Sequence, residues 1–373
     1  MRFLFITKRQ YTNKDLIDDQ YGRCRELPLQ LSVLKHQVIG VCLSYEKKPE
    51  SIVQDSIDSA NVEWHSRNAG TFKLPGLVRY FIYTYRLARQ FRPDVIMASS
   101  DSIYGIVALF MSRLLKVPYV FDLYDNYESF AAIKLPFVRF LYARAIREAC
   151  LVTVVSEPLQ QHVRDQFSRN DPIEVIENGV NPDLFHPYAK DECRKALNLP
   201  ENAILVGVAG AISKTRGIEI IFPAFAKLLQ MSPDVNLVLA GKVDTDITIP
   251  TLDRIIRLGE LPFKKMPLLV ASLDVSIVSN IDSPFGRYCY PQKFVEAVAT
   301  HTPTVVAAVG AMRILLAKMP EILFKPGDVD DLTRAIRHQL AHGEIPDNAG
   351  HSWLDLAKRL DHSIKSIENH EQK

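Results

Sequence analysis

Apolar residues along this chain gather into short, nearly unbroken runs separated by longer stretches of helical periodicity. Arg2 to Thr7 (RFLFIT), Gln37 to Leu43 (QVIGVCL), Asp94 to Ala98, Pro118 to Asp122, Leu151 to Val155 and Ile173 to Ile176 are such runs. Runs so short and so apolar suit strands of a parallel sheet buried on both faces. Between them, Gly76 to Phe91 and Pro136 to Ala149 repeat at helical spacing, completing the βαβ rhythm of a doubly wound α/β fold. The rhythm breaks at 181–203, a polar passage containing Pro182, Pro187 and Pro200. It restarts with Ile204 to Val208, Asn236 to Ala240, Ile255 to Leu258, Val275 to Val278 and Thr304 to Ala307.

This pattern predicts two Rossmann-like domains, 1–186 and 187–350, with a terminal helix in 351–373 that packs back on the first. A chain of 373 residues fits two hydrophobic cores better than one. Open sheets of this kind take ligands beyond the carboxyl ends of their strands, so the expected ligand site faces a cleft between the domains.

Composition narrows the function classes. A net charge of +2, with no run of Lys and Arg resembling a nucleic-acid arm, does not suit a nucleic-acid partner. Cys24, Cys42, Cys150, Cys193 and Cys289 lie far apart with no C-x-x-C pair, so neither a zinc site nor a disulfide framework is expected, and a reducing cytoplasm is. The opening MRFLFITKRQ reads as a first strand and not a signal peptide, because Lys8 and Arg9 cut its apolar run. No apolar stretch approaches the roughly 20 residues that span a bilayer.

Two segments carry candidate chemistry. GVAGAISKTRGIEIIFPAF, Gly207 to Phe225, is a strand ending in small residues, then a loop with Lys214 and Arg216, then Gly217 opening a helix. Gly210 lets a ligand approach the backbone, a helix start offers N–H groups, and two cations can neutralise a diphosphate. The same residues also fit an ordinary βα loop with solvated charges. In SPFGRYCYPQKFVEAVA, Ser283 to Ala299, Tyr290 and Pro291 precede a helix on which Lys293 and Glu296 share one face. Glu296 can accept both hydroxyls of a ribose while Lys293 faces phosphate. The plainer alternative is an exposed ion pair worth a few tenths of a kcal/mol.

Taken in order, these segments resemble glycosyltransferase family 4, the group 1 set, over nearly the whole chain. The resemblance rests on Arg216-Gly217, Ala240-Gly241, Gly259-Glu260-Leu261 and Glu296-Ala297-Val298-Ala299 leading to Pro303, with VSEPL at 155–159 and NGVNPDLF at 178–185 before them. It implies a GT-B fold, two Rossmann-like domains facing an interdomain cleft. The first domain would take the acceptor. The second would hold a nucleotide-sugar donor through Gly210, Lys214, Arg216, Glu260, Leu261, Tyr290, Pro291, Lys293 and Glu296, with Gly22 of Tyr21-Gly22-Arg23 approaching the donor phosphates. Departures accompany it: Ala211 stands where an Arg is usual, Tyr288 replaces the first of two glutamates, and Tyr124 replaces a His, leaving Asp125 to face the acceptor.

The resemblance implies a transferase that retains anomeric configuration and needs no metal, with Arg216 and Lys293 stabilising the leaving diphosphate and Asp125 orienting or deprotonating an acceptor hydroxyl. The acceptor is expected to be a glycan, a lipid-linked sugar or another hydroxyl compound. A GT-B epimerase and a non-catalytic nucleotide-sugar binder remain alternatives. Charge placement adds a separate expectation. Segment 71–93 holds five basic residues, six aromatic residues and no acid, and 129–147 holds four basic residues and no acid, with Phe130, Phe137, Phe140 and Tyr142 interspersed. Basic stems beside aromatic rings suit an anionic membrane surface, here the inner face of the cytoplasmic membrane, although two ordinary Rossmann helices would read similarly.

Overall fold

The computed structural model describes all residues except 12–13, 58–59, 130, 348–349 and 372–373, and the side chains of all those described except 131–132 and 368–371. Phe130 therefore lies outside the described residues. The chain forms two compact units, Met1–Glu177 with Trp353–Lys373, and Asn178–Ser352.

Among the described residues of the first unit, one sheet holds β1 Arg2–Lys8, β2 Gln37–Ser44, β3 Ser51–Ile57, β4 Ala60–Asn68, β5 Val95–Ala98, β6 Tyr119–Leu123, β7 Leu151–Val154 and β8 Ile173–Val175. Their order is β8-β7-β6-β5-β1-β2-β4-β3, and only the β3–β4 pair is antiparallel. Continuous apolar runs become the central strands because both faces are covered: Phe3, Leu4, Phe5 and Ile6 of β1 are all buried. The edge strand β3 has exposed residues alternating with covered ones, so its sequence contains no apolar run and the pattern did not mark it.

Helices α1 Arg23–Val33, α2 Lys73–Phe91, α3 Ser102–Leu115, α4 Pro136–Glu148 and α5 Glu157–Phe167 follow β1, β4, β5, β6 and β7. Polar residues start two of them: the Asp101 carboxylate accepts the Ile103 N–H at 2.7 Å, and the Ser156 hydroxyl accepts that of Leu159. On α2 the buried positions are Gly76, Tyr80, Thr84 and Ala88, one residue every fourth. Gly76 fixes that face, since a Cβ there would stand 1.9 Å from the Ala69 carbonyl oxygen.

The C-terminal helix Trp353–Glu371 belongs to this first unit. Trp353, Leu356, Leu360 and Ile364 recur at helical spacing and are buried in one cluster with Leu27 and Leu31 of α1. Arg359 donates to the Val175 carbonyl at 2.6 Å and to the Glu177 carboxylate at 2.9 Å.

The change of unit falls between Glu177 and Asn178, ahead of the proline-rich passage expected to mark it. Val180 and Phe185 fall in the expected first domain, 1–186, yet they pack on Val295 of the second unit. That unit contains β9 Ile204–Ala209, β10 Val235–Ala240, β11 Ile255–Gly259, β12 Val275–Val278, β13 Thr304–Ala307 and β14 Leu323–Phe324, all parallel, in the order β11-β10-β9-β12-β13-β14. The strand order of each sheet reverses once, at β1/β5 and at β9/β12, and such reversals open a crevice at the carboxyl ends.

A buried ion pair ties the first unit together. Arg23 grips Asp122 at 2.6 to 3.1 Å and donates to the carbonyls of Ile176 and Glu177, while Ser99 and Thr153 donate to the same carboxylate. Removing one partner leaves the other charged and buried, which costs about 3–5 kcal/mol. Asp122→Ala is therefore expected to lower the stability of this unit by that amount. Trp64 and Trp353, the chain's two tryptophans, are both buried in it, so tryptophan fluorescence during urea unfolding reads the effect, and an unchanged midpoint would contradict it.

Candidate active site

The site is built on glycines at three strand ends. Gly210, just past β9, has φ +92, and a Cβ there would lie 2.5 Å from Lys293 Cε and 2.8 Å from its Nζ. That φ is one an L side chain rarely adopts, and the absent Cβ leaves the end of the lysine room beside the strand end. Gly241, past β10, donates its N–H to the Gly259 carbonyl at 2.7 Å, and a Cβ on it would strike the Gly210 carbonyl oxygen at 2.0 Å. Glu260 and Leu261 follow directly; Glu260 is exposed and Leu261 packs in a side cluster with Leu269 and Leu273.

The loop after Gly210 differs from the expected helix start. Two 3₁₀ turns, Lys214–Arg216 and Ile218–Ile220, precede the helix α6 Ile221–Met231, with Gly217 as a left-handed joint at φ +68. The N–H groups of Arg216, Gly217 and Ile218 donate within the loop, to the carbonyls of Ser213, Lys214 and Ser213. These three N–H groups are thus taken up within the loop itself. A 3₁₀ turn has three residues per turn, so residues two apart point in different directions. Arg216 Nη1 donates to Asn280 Oδ1 at 2.9 Å, and its guanidinium lies 4.5 Å over the Phe285 ring. Lys214 instead stands 3.5 Å from Asp246 and 4.0 Å from Glu219, half exposed, and is not brought into the group.

Asn280 and Phe285 were not singled out from the sequence. Asn280 follows β12 as Gly210 follows β9, so Arg216 bridges the point where strand order reverses. Phe285 lies on the short helix α7 Pro284–Tyr288, with Tyr288 at its end.

Lys293 and Glu296 sit on α8 Gln292–Ala299, whose entry is set by Pro291 at φ −67. The preceding Tyr290 carbonyl accepts the Asn178 amide at 2.8 Å, and Gln292 donates to the Gly179 carbonyl at 2.8 Å, so the NGV segment holds this helix start. Enclosure away from water lowers the Lys293 ammonium to about 7, helped by the like charge of Arg216 and opposed by Glu296. Burial pushes the Glu296 carboxyl up to about 8, against Lys293 and a hydrogen bond from Gln292. A bound dianion would reverse the first effect, and two hydroxyl donors the second.

Gly22 and Asp125 belong to the first unit. Gly22, at φ +85, leads into α1, where a Cβ would meet the Tyr11 hydroxyl oxygen at 2.0 Å. Asp125 is buried and accepts the Asn126 N–H at 2.7 Å. Tyr124 donates to the Ser100 carbonyl at 3.3 Å and packs on Tyr11 and Tyr127, a place in the aromatic cluster that a smaller His ring would fill less fully.

Known proteins resemble this chain in sequence and in fold. Residues 23–179 match the Glycosyl transferase 4-like domain, and 203–342 match Glycosyl transferases group 1. The D-inositol 3-phosphate glycosyltransferase of Stackebrandtia nassauensis is 24% identical over 60% of this chain and 56% of its own length. The sulfoquinovosyl transferase SQD2 of Arabidopsis thaliana is 23% identical over 73% of this chain and 54% of its own. The chain thus spans little more than half of these relatives. Among solved structures, the sucrose-phosphate synthase of Thermosynechococcus elongatus superposes with a TM-score of 0.74 at 17% identity, over 100% of this chain and 98% of that one. Anabaena HepE in complex with UDP gives 0.70 at 18% identity, over 98% of this chain and 100% of that one.

The mutual effect of the two cations can be read without any ligand. In NMR spectra of the ¹³C-dimethylated protein, one lysine is expected to titrate near 7 and to disappear in Lys293→Met. Arg216→Ala removes a like charge and should raise that midpoint; an unmoved midpoint would show that Arg216 and Lys293 do not share a site.

Proposed function

Because the chain belongs to the family 4, group 1 glycosyltransferases and has their two-domain GT-B fold, we propose that it moves a sugar from a nucleotide-diphosphate sugar to a hydroxyl acceptor. The observation that carries this reading is the convergence of Arg216 and Lys293 at the strand-order reversal of the second unit, with Glu296 buried one turn along. The donor's diphosphate lies against the two cations, and Glu296 accepts the ribose hydroxyls. As the sugar–phosphate bond breaks, charge grows on the departing diphosphate, and preplaced cations stabilise it most there. Transfer retains the anomeric configuration and proceeds without a metal, the cations taking the electrostatic part a metal ion would otherwise supply.

Asp125 orients or deprotonates the acceptor hydroxyl from the first unit. The acceptor is a glycan or lipid-linked sugar, reached from the cytoplasmic side and, for a lipid-linked one, from the membrane surface. Four of the five cysteines are buried thiols, which suits a reducing compartment. Among the described residues no helix is long and apolar enough to cross a membrane.

Calorimetry with UDP, the nucleotide in the HepE complex, tests the donor site. A charge-assisted hydrogen bond is worth about 1.5–3 kcal/mol, so Arg216→Ala should weaken binding by one to two decades, with a smaller loss in Glu296→Ala. Wild-type affinity in both variants would remove the assignment. Sugar transfer is further expected to continue in EDTA. Activity that vanished there and returned with Mg²⁺ or Mn²⁺ would overturn the metal-independent mechanism.

A further inference from the structure

The first unit carries an apolar surface that its own core does not cover. Among the described residues, its three most exposed large apolar side chains are Phe72 at 78%, Leu74 at 73% and Phe137 at 71%. Val78 and Ile82 continue the first group along α2 at every fourth residue, and Leu135 and Phe140 flank Phe137 at the start of α4. Isolated exposed apolar residues are ordinary; two clusters at corresponding places in the fold are not.

Topology puts them together. Helices α2, α3 and α4 form one layer, with α3 packed against both of its neighbours. Each follows the carboxyl end of a strand, α4 only after two 3₁₀ turns, so the starts of α2 and α4 lie toward the same edge of the sheet. The charge on these two segments has one sign, although Asp101 at the start of α3 and Glu128 lie at the same edge. Residues 71–93 and 129–147 contain nine basic side chains and no acid. Lys134, Arg139 and Arg147 line a cavity of about 580 Å³ beside Ile133 and Phe140. The cavity's carboxylate, Glu128, is already engaged by His162 at 2.5 Å.

We propose that this edge docks reversibly on an anionic lipid bilayer. Phe72, Leu74, Leu135, Phe137 and Phe140 enter the boundary between head groups and acyl chains, while Lys134, Arg139 and Arg147 take a lipid phosphate in the cavity. Apolar residues projecting among cations match an interface that is apolar below and negative above. A protein partner would have to offer an unbroken acidic rim around an apolar centre, whereas any bilayer containing anionic lipid offers both. The inference concerns the first unit alone and stands or falls independently of the donor site.

Sedimentation of the full chain with phosphatidylglycerol-containing and pure phosphatidylcholine vesicles tests it. The protein should pellet with the anionic vesicles and not the neutral ones. The binding should weaken from 0.1 M to 1 M salt, as the screening length falls from about 10 Å to about 3 Å. One cation near such a surface is worth about fivefold in partition, so Lys134→Glu with Arg139→Glu should cost about 25-fold or more. Phe72→Ser with Phe137→Ser should lose at least about tenfold even at low salt. Unchanged UDP binding and thermal midpoint in both variants would confirm that they are folded. Absence of vesicle binding, equal binding to neutral vesicles, or variants that pellet like the wild type would each overturn the proposal.

Discussion

Two positive side chains held at one point of the second sheet are the constraint on which the site depends. The parallel strand order brings the loops after β9 and β12 together, and Arg216 bridges them through Asn280. Gly210 lets Lys293 lie beside that loop. Burial away from water, with the like charge of Arg216 beside it, lowers the Lys293 ammonium to about 7, while the guanidinium keeps its proton. An arrangement that works against itself in the free protein favours a ligand carrying two or more negative charges. A nucleoside diphosphate has that charge and a ribose for Glu296.

The first unit uses the same chemical groups to the opposite end. Arg23 and Asp122 are both buried, but each is satisfied by the other and by two further partners, the carbonyls of Ile176 and Glu177 for Arg23 and the hydroxyls of Ser99 and Thr153 for Asp122. The pair acts as a clamp between the start of α1, β6 and the carbonyls of Ile176 and Glu177. Charges satisfied within the protein hold a fold; charges set against one another are suited to recognition. The distinction follows from partners and burial, not from residue type.

Much of the fold was legible because strands buried on both faces write themselves as apolar runs. The β3–β4 edge pair escaped because a half-wet strand alternates, and Val180 and Phe185 escaped because proline content marks a polar connection without showing which core takes the residues around its start. At the candidate site, spacing and resemblance picked out Arg216, Lys293 and Glu296, which the structure brings near one another. Lys214 was grouped with Arg216 by proximity in sequence, while the 3₁₀ turn sends it toward Asp246 and Glu219. Asn280 and Phe285 were illegible because their importance depends on strand order, which adjacency along the chain does not contain.

The central claim is that a donor's diphosphate sits where β9 and β12 diverge. A crystal structure of the chain grown with UDP examines that most directly. The account expects the diphosphate oxygens within hydrogen-bond distance of Arg216 and Lys293 and the ribose hydroxyls on Glu296. Nucleotide density elsewhere, with Arg216 and Lys293 touching none of it, would contradict the account.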